Sequence, residues 1–229
     1  MHITNMTTAA TRFRHIARTL VNCTSGLALT EFAYAAPMFA FLGVTGLELS
    51  NYALACLRVN QVANSVADVL SRSGESDGLG KKHIRESDIN DAFQAVSRQS
   101  GNLDLVNRGR IIVSALEQNS SGGQWIRWQR CFGTQTSYVS DYGSTNTGQT
   151  GTAFLGMGDT GAKATAPDNA SAVMYAEVKY NYKPLIAFKF IPRATSLITA
   201  RAAYLVRDRR DLSTNMDPVS PSDATPSTC

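Results

Sequence analysis

Histidine and cysteine are scarce in this 229-residue chain, with three and four copies. His2 and His15 fall within the first 26 residues, which leaves only His83, beside Lys81 and Lys82. Zinc sites of the His-rich or four-cysteine kind are excluded by count and spacing. A Ser-His-Asp triad would have to use His83, and no G-x-S-x-G elbow accompanies it. Gly156, Gly158 and Gly161 are closely spaced, but no strand-before, helix-after context or P-loop lysine goes with them, so they read as turns. No catalytic, cofactor-binding or metal-binding residue is assigned, and the expectation is a non-enzyme with no cofactor and no small-molecule substrate.

Charge is also sparse. Charged residues make up 17% of the chain, below the roughly one quarter of ordinary domains. Residues 1–26 hold Arg12, Arg14 and Arg18 and no acid, and the remainder carries 19 basic against 18 acidic residues. No bulk positive field for nucleic acid remains. Trp125 and Trp128 with Arg127 and Arg130 could suggest a base-stacking surface, but three residues apart in a strand they fall on opposite faces, one in a core and one at an interface.

What the chain does have is one long apolar run. Sixteen uncharged residues separate Glu31 from Glu48. They cover about 24 Å of helix, against a hydrocarbon core of ~30 Å. Residues 27–29 and 49–57 extend the run if the two glutamates are tolerated. Basic residues precede it, so the N-terminus is expected in the cytoplasm and the C-terminal bulk outside. A cleaved secretory signal ending at Ala33-Tyr34-Ala35 fits poorly, because the longest apolar run follows that point. A lipoprotein signal at Cys23 fits less well, because no apolar stretch precedes it. The third reading is a basic leader that ends at Gly26 and leaves the apolar helix on the mature chain.

Gly26, Glu31 and Phe32 carry that reading. The constellation resembles a prepilin signal, in which a membrane peptidase cuts after glycine, and glutamate and an aromatic are then the fifth and sixth mature residues. Glycine suits a protease that must bind the backbone extended and close. An ionised Glu31 in or near a bilayer is costly. The alternative for Glu31 is a solvated, idle carboxylate at headgroup level.

Residues 25–50 resemble the start of the TadE-like family of pseudopilins, of the tight-adherence (Flp-type) pilus system. The likeness lies in Gly26, then Glu31-Phe32-Ala33, Pro37, the apolar run and Glu48, with weaker islands at 126–131 and 176–185. It implies a pseudopilin-like structural subunit for pilus assembly, in the bacterial inner membrane in a single pass. A prepilin peptidase would cut between Gly26 and Leu27. Glu31 would pair with the new amine of Leu27 on a neighbouring subunit. Partners would be that peptidase, other pilin-like subunits and the assembly platform. Cys131 and Cys229 both fall outside, where a bridge would tie the tail to the sheet as C-terminal loops are tied in pilins; two unpaired thiols are the alternative. Cys56 reads as a small packed apolar residue. The competing function is a bitopic, membrane-anchored periplasmic binding module or enzyme with an uncleaved signal anchor.

The expected fold is α+β: a long membrane-spanning helix, then a small periplasmic domain with a helix and an antiparallel sheet of about four strands. Segments are a leader over 1–26, a pilin-like helix over 27–70, the domain over 84–210 and a flexible tail over 211–229. Val59, Val62, Val66, Val69 and Leu70 continue the first helix as an amphipathic one. A Gly/Ser-rich hinge covers 73–82. Ser87 or Asp88 caps a helix whose Ile89, Ala92, Phe93 and Val96 share a face. Strands are expected over 110–117, 125–131, 172–182 and 196–206, with a hairpin turn at 119–123. The polar region 133–169 is too long for an ordinary loop and reads as functional or mobile.

Overall fold

A computed structural model describes residues 14–15, 17–19, 21, 25–76, 82–185, 197–207 and 224–229. Most of the expected leader, positions 77–81 of the hinge and 211–223 of the tail lie outside the described residues. The chain forms two compact units, 1–50 and 51–229.

Helix α1 runs from Ser25 to Arg72 with Pro37 inside it. In the first unit its apolar side chains are exposed: Leu29 at 71%, Phe32 at 68% and Phe39 at 70%. From Ala55 onward the pattern changes, and Val59, Val62, Ala63, Val66, Ala67 and Leu70 are buried. These recur at three- and four-residue spacing, a stripe on one face. Val69, expected on that stripe, is 41% exposed; Leu70 takes the inward place four residues after Val66, and Ala63 and Ala67 complete the face. The folded domain thus begins at Asn51 rather than at 84, because the second half of α1 supplies part of its core.

Beyond α1, Glu75–Ser76 (β1) and Lys82–His83 (β2) form a small antiparallel ribbon. Helix α2 (Glu86–Gln99) buries Ile89, Ala92, Phe93 and Val96. It starts at Glu86, so neither Ser87 nor Asp88 is its cap. Asp88 instead accepts the Arg85 backbone N–H at 3.1 Å from the third helical position, which satisfies an otherwise unpaired donor. A single turn, α3 (Leu105–Arg108), leads into the sheet.

The sheet is antiparallel in the order β4-β3-β5-β6, from Gly109–Gln118 (β3), Gln124–Phe132 (β4), Val173–Asn181 (β5) and Leu197–Leu205 (β6). One face meets α1 and α2 through Val113, Ala115, Trp128, Met174, Ala176, Val178 and Ala200. Phe93 of α2 stacks on Phe132 of β4 at 5.5 Å. The turn after β3 is fixed by Asn119, whose side-chain oxygen accepts the N–H groups of Ser121 and Gly123 at 2.9 Å.

Trp125 and Trp128 do not fall on opposite faces. Ala115 stands opposite Trp128 and Leu116 opposite Ile126, so Arg127 is the extra residue of a β-bulge. The bulge shifts the alternation by one. Trp125, opposite Glu117, therefore shares the helix-side face with Trp128.

The polar stretch after β4 covers the second face of the sheet. Tyr142, Phe154, Met157 and Ala164 pack on Leu116, Ile126, Val173 and Tyr175. Its backbone also occupies the outer edge of β4. Ile126 N–H donates to Thr147 O at 2.9 Å, and Asn146 N–H donates to Ile126 O at 2.7 Å. Met157 and Ala164 form a two-way bridge. Gly156 before it has φ +107°, and a Cβ there would come within 2.4 Å of Ala164 O, so the turn requires glycine. An edge paired in this way is protected from wrong strand addition.

Candidate functional site

The residues that carry the processing signal lie at the head of α1. Gly26 and Leu27 are the second and third residues of α1. A Cβ added at Gly26 meets nothing within 4 Å. No packing among the described residues therefore calls for glycine there. Leu27 is 62% exposed, Glu31 and Phe32 follow one turn later, also exposed, and Glu31 makes no ion pair among the described residues. The helix brings these four residues together on consecutive turns, with no ion-pair partner for the carboxylate among the described residues.

The second candidate lies at the sheet edge. Cys131 of β4 and Cys229 are joined by a disulfide, with Cα atoms 4.8 Å apart. The segment 224–229 is therefore not a loose tail. Cys131 N–H donates to Ser227 O at 2.8 Å, Asn90 Nδ2 of α2 donates to Thr225 O at 2.9 Å, and Ser227 Oγ donates to Asn90 Oδ1. The bridge closes a separation of 98 residues. Its removal as Cys229→Ser is expected to cost about 2–4 kcal/mol, read as a lower unfolding midpoint. Peptide mapping without reduction should return one linked pair; free alkylation of both thiols in protein exported from the cytoplasm would contradict this. Cys56 is a half-buried free thiol packed beside the main core, and Cys23 lies outside the described residues.

A charged cluster on the second face of the sheet was not foreseen. Lys179 and Arg201 point from β5 and β6 to Asp141, and Arg201 also reaches Asp159. Burial disfavours ionisation of Asp141, but hydrogen bonds from Lys179 and Arg201 outweigh it and hold the carboxyl below its usual range. Burial pushes the Glu177 carboxyl up, against hydrogen bonds from the Ser140 hydroxyl and the Asp141 N–H. These pairs fasten the cover to the sheet. Among the described residues no group of three or more His, Cys, Asp or Glu could hold a metal ion.

A pocket of about 470 Å³ lies wholly within the second unit, between the start of its part of α1, the turn before β3 and the end of β5. Arg108 donates from Nε and Nη2 to Asn181 O at 3.0 and 2.8 Å. Asn51 Nδ2 donates to the Tyr182 hydroxyl at 2.7 Å. Arg58 and Lys183 line it and make no ion pair among the described residues. Its cations come from positions 58, 108 and 183, too far apart in sequence to read as a motif.

Among the described residues one helix is long and apolar enough to cross a membrane, and none of its most apolar eighteen-residue stretch is buried. No family model, no curated protein and no solved structure matches the chain.

Proposed function

We propose that this chain is a pseudopilin-like structural subunit for assembly of a Flp-type (tight-adherence) pilus. It enters the bacterial inner membrane in a single pass, N-terminus in the cytoplasm and α+β domain in the periplasm. A prepilin peptidase removes residues 1–26, and the mature helix docks on other pilin-like subunits and the assembly platform. The chain has no active site of its own; it is the substrate of the peptidase. The observation that carries the reading is Gly26, Glu31 and Phe32 at the head of a helix whose first half, up to residue 50, leaves large apolar side chains such as Leu29, Phe32 and Phe39 exposed among the described residues. Such a surface requires lipid or a neighbouring helix.

The test is Gly26→Leu. A Cβ at that position meets nothing within 4 Å, so the described fold has room for the substitution, which changes the residue a peptidase meets. It also stiffens the first turn by roughly 0.8–1 kcal/mol of helix propensity. The wild-type protein is expected to have a mature mass lacking residues 1–26, and Gly26→Leu to accumulate as full-length precursor in the membrane. An intact N-terminus on the wild-type protein would favour the anchored periplasmic module. Shortening of the variant at the same bond would remove the prepilin reading.

A further inference from the structure

The pocket at the membrane-proximal end of the domain has the chemistry of an anion site. Among the described residues Arg58, Arg108 and Lys183 line it against a single acid, Asp104. Asp104 is occupied by the side-chain amide of Asn107 at 2.8 Å. Arg108 spends two donors on Asn181 O and so is held rigidly. Arg58 and Lys183 keep their charge unpaired among the described residues. The pocket's volume is in the range of small-ligand sites.

Its rim is apolar: Leu54 is 52% and Leu185 69% exposed. Leu57, on the same helix, is 60% exposed. Arg58 is the first basic residue after the apolar run. At ~1.5 Å rise per residue it stands about 6 Å beyond Leu54. With Leu54 and Leu57 at the hydrocarbon boundary, the cations come to lie at headgroup depth, as snorkelling arginine and lysine do. We propose that this pocket takes the phosphate of an anionic phospholipid headgroup, with Arg58 and Lys183 as its charge partners and Leu54 and Leu185 against the acyl chains. The inference rests on the membrane orientation in the proposed function.

The experiment is native mass spectrometry of the full chain in neutral detergent, titrated with phosphatidylglycerol, phosphatidylcholine or inorganic phosphate. The wild-type protein is expected to retain phosphatidylglycerol over phosphatidylcholine. Arg58→Gln with Lys183→Gln should weaken retention about thirtyfold, from the loss of two headgroup-level cations. Arg58→Lys with Lys183→Arg preserves the charges and should bind as wild type, which separates charge from misfolding; an intact Cys131–Cys229 bridge checks each variant. Equal retention by the glutamine variant and wild type, or equal retention of the two lipids, would overturn the proposal. Displacement by equimolar inorganic phosphate would assign the pocket to a soluble phosphate compound and overturn the lipid source. Cleavage at Gly26 is read separately in cells. An uncut wild-type chain that still retains phosphatidylglycerol would overturn the pilus reading and leave the pocket standing.

Discussion

Arg130→Met is expected to destabilise the folded unit by about 3–5 kcal/mol, the cost of leaving a buried charge without its partner. The Glu86 side chain is only 1% exposed and that of Arg130 13%. Arg130 Nε donates to both Glu86 carboxylate oxygens at 3.0 Å, and Nη2 donates to Oε1. Nη1 donates to Gln129 O at 2.9 Å. The pair joins the first turn of α2 to the edge strand β4. Glu86→Gln keeps the shape and removes the buried anion, so it should cost less than Arg130→Met. The double change Arg130→Met with Glu86→Met removes both charges and should recover a large part of the loss, because two apolar residues of similar size carry no desolvation penalty. The guanidinium lies 5.9 Å from the Trp128 ring, so tryptophan fluorescence during urea unfolding of the full chain in detergent reports the site. If the single and double variants are equally destabilised, the pair is not what holds α2 to the sheet.

Why this pair escaped the sequence shows what was legible. Short apolar runs bounded by turn residues marked β3, β4, β5 and β6 to within one residue at each end, because one face of each strand meets a continuous apolar layer. The apolar stripe of α2 and the long run of α1 were legible for the same reason. The second face was not. Glu177 and Lys179 look like solvent-facing positions of a half-buried strand, yet Glu177 is fully buried and Lys179 is 7% exposed. Their partners, Ser140 and Asp141, come from a stretch with no hydrophobic period, so nothing local announces that it covers a sheet. Its apolar anchors, Tyr142, Phe154 and Met157, are isolated residues between turns. The bulge at Arg127 is likewise invisible until β3 and β4 are paired, and it puts Trp125 on the same face as Trp128 rather than on the opposite one. At the head of α1 the balance is opposite. The spacing of Gly26, Glu31 and Phe32 is wholly a sequence signal, and the helix adds that Glu31 and Phe32 are exposed and that Gly26 answers no packing need among the described residues.

Glu31→Gln is expected to leave cleavage after Gly26 nearly unchanged and to abolish pilus assembly. The peptide bond and Gly26 are untouched, so the peptidase meets the same backbone. Removal of the carboxylate charge lowers a membrane-insertion cost of about 2.5–3.5 kcal/mol at mid-bilayer, less near the interface, so integration should survive or improve. Assembly should respond the other way. Glu31 has no ion-pair partner among the described residues of its own chain; under the proposed function the new amine of Leu27 on a neighbouring subunit is the positive group that would meet it. With glutamine in place, the amine sits uncompensated in a low-dielectric contact, a loss of about 3–5 kcal/mol per contact, or a hundredfold or more in the docking equilibrium. Repeated along a fibre, that loss leaves no measurable polymer. Pilus yield and co-purification of partner subunits are measured, with mature mass determined in the same cells. Wild-type assembly by Glu31→Gln would make Glu31 a solvated edge residue. Loss of cleavage together with assembly would place its role in recognition by the peptidase, and loss of assembly with cleavage intact is the result that assigns it to subunit docking.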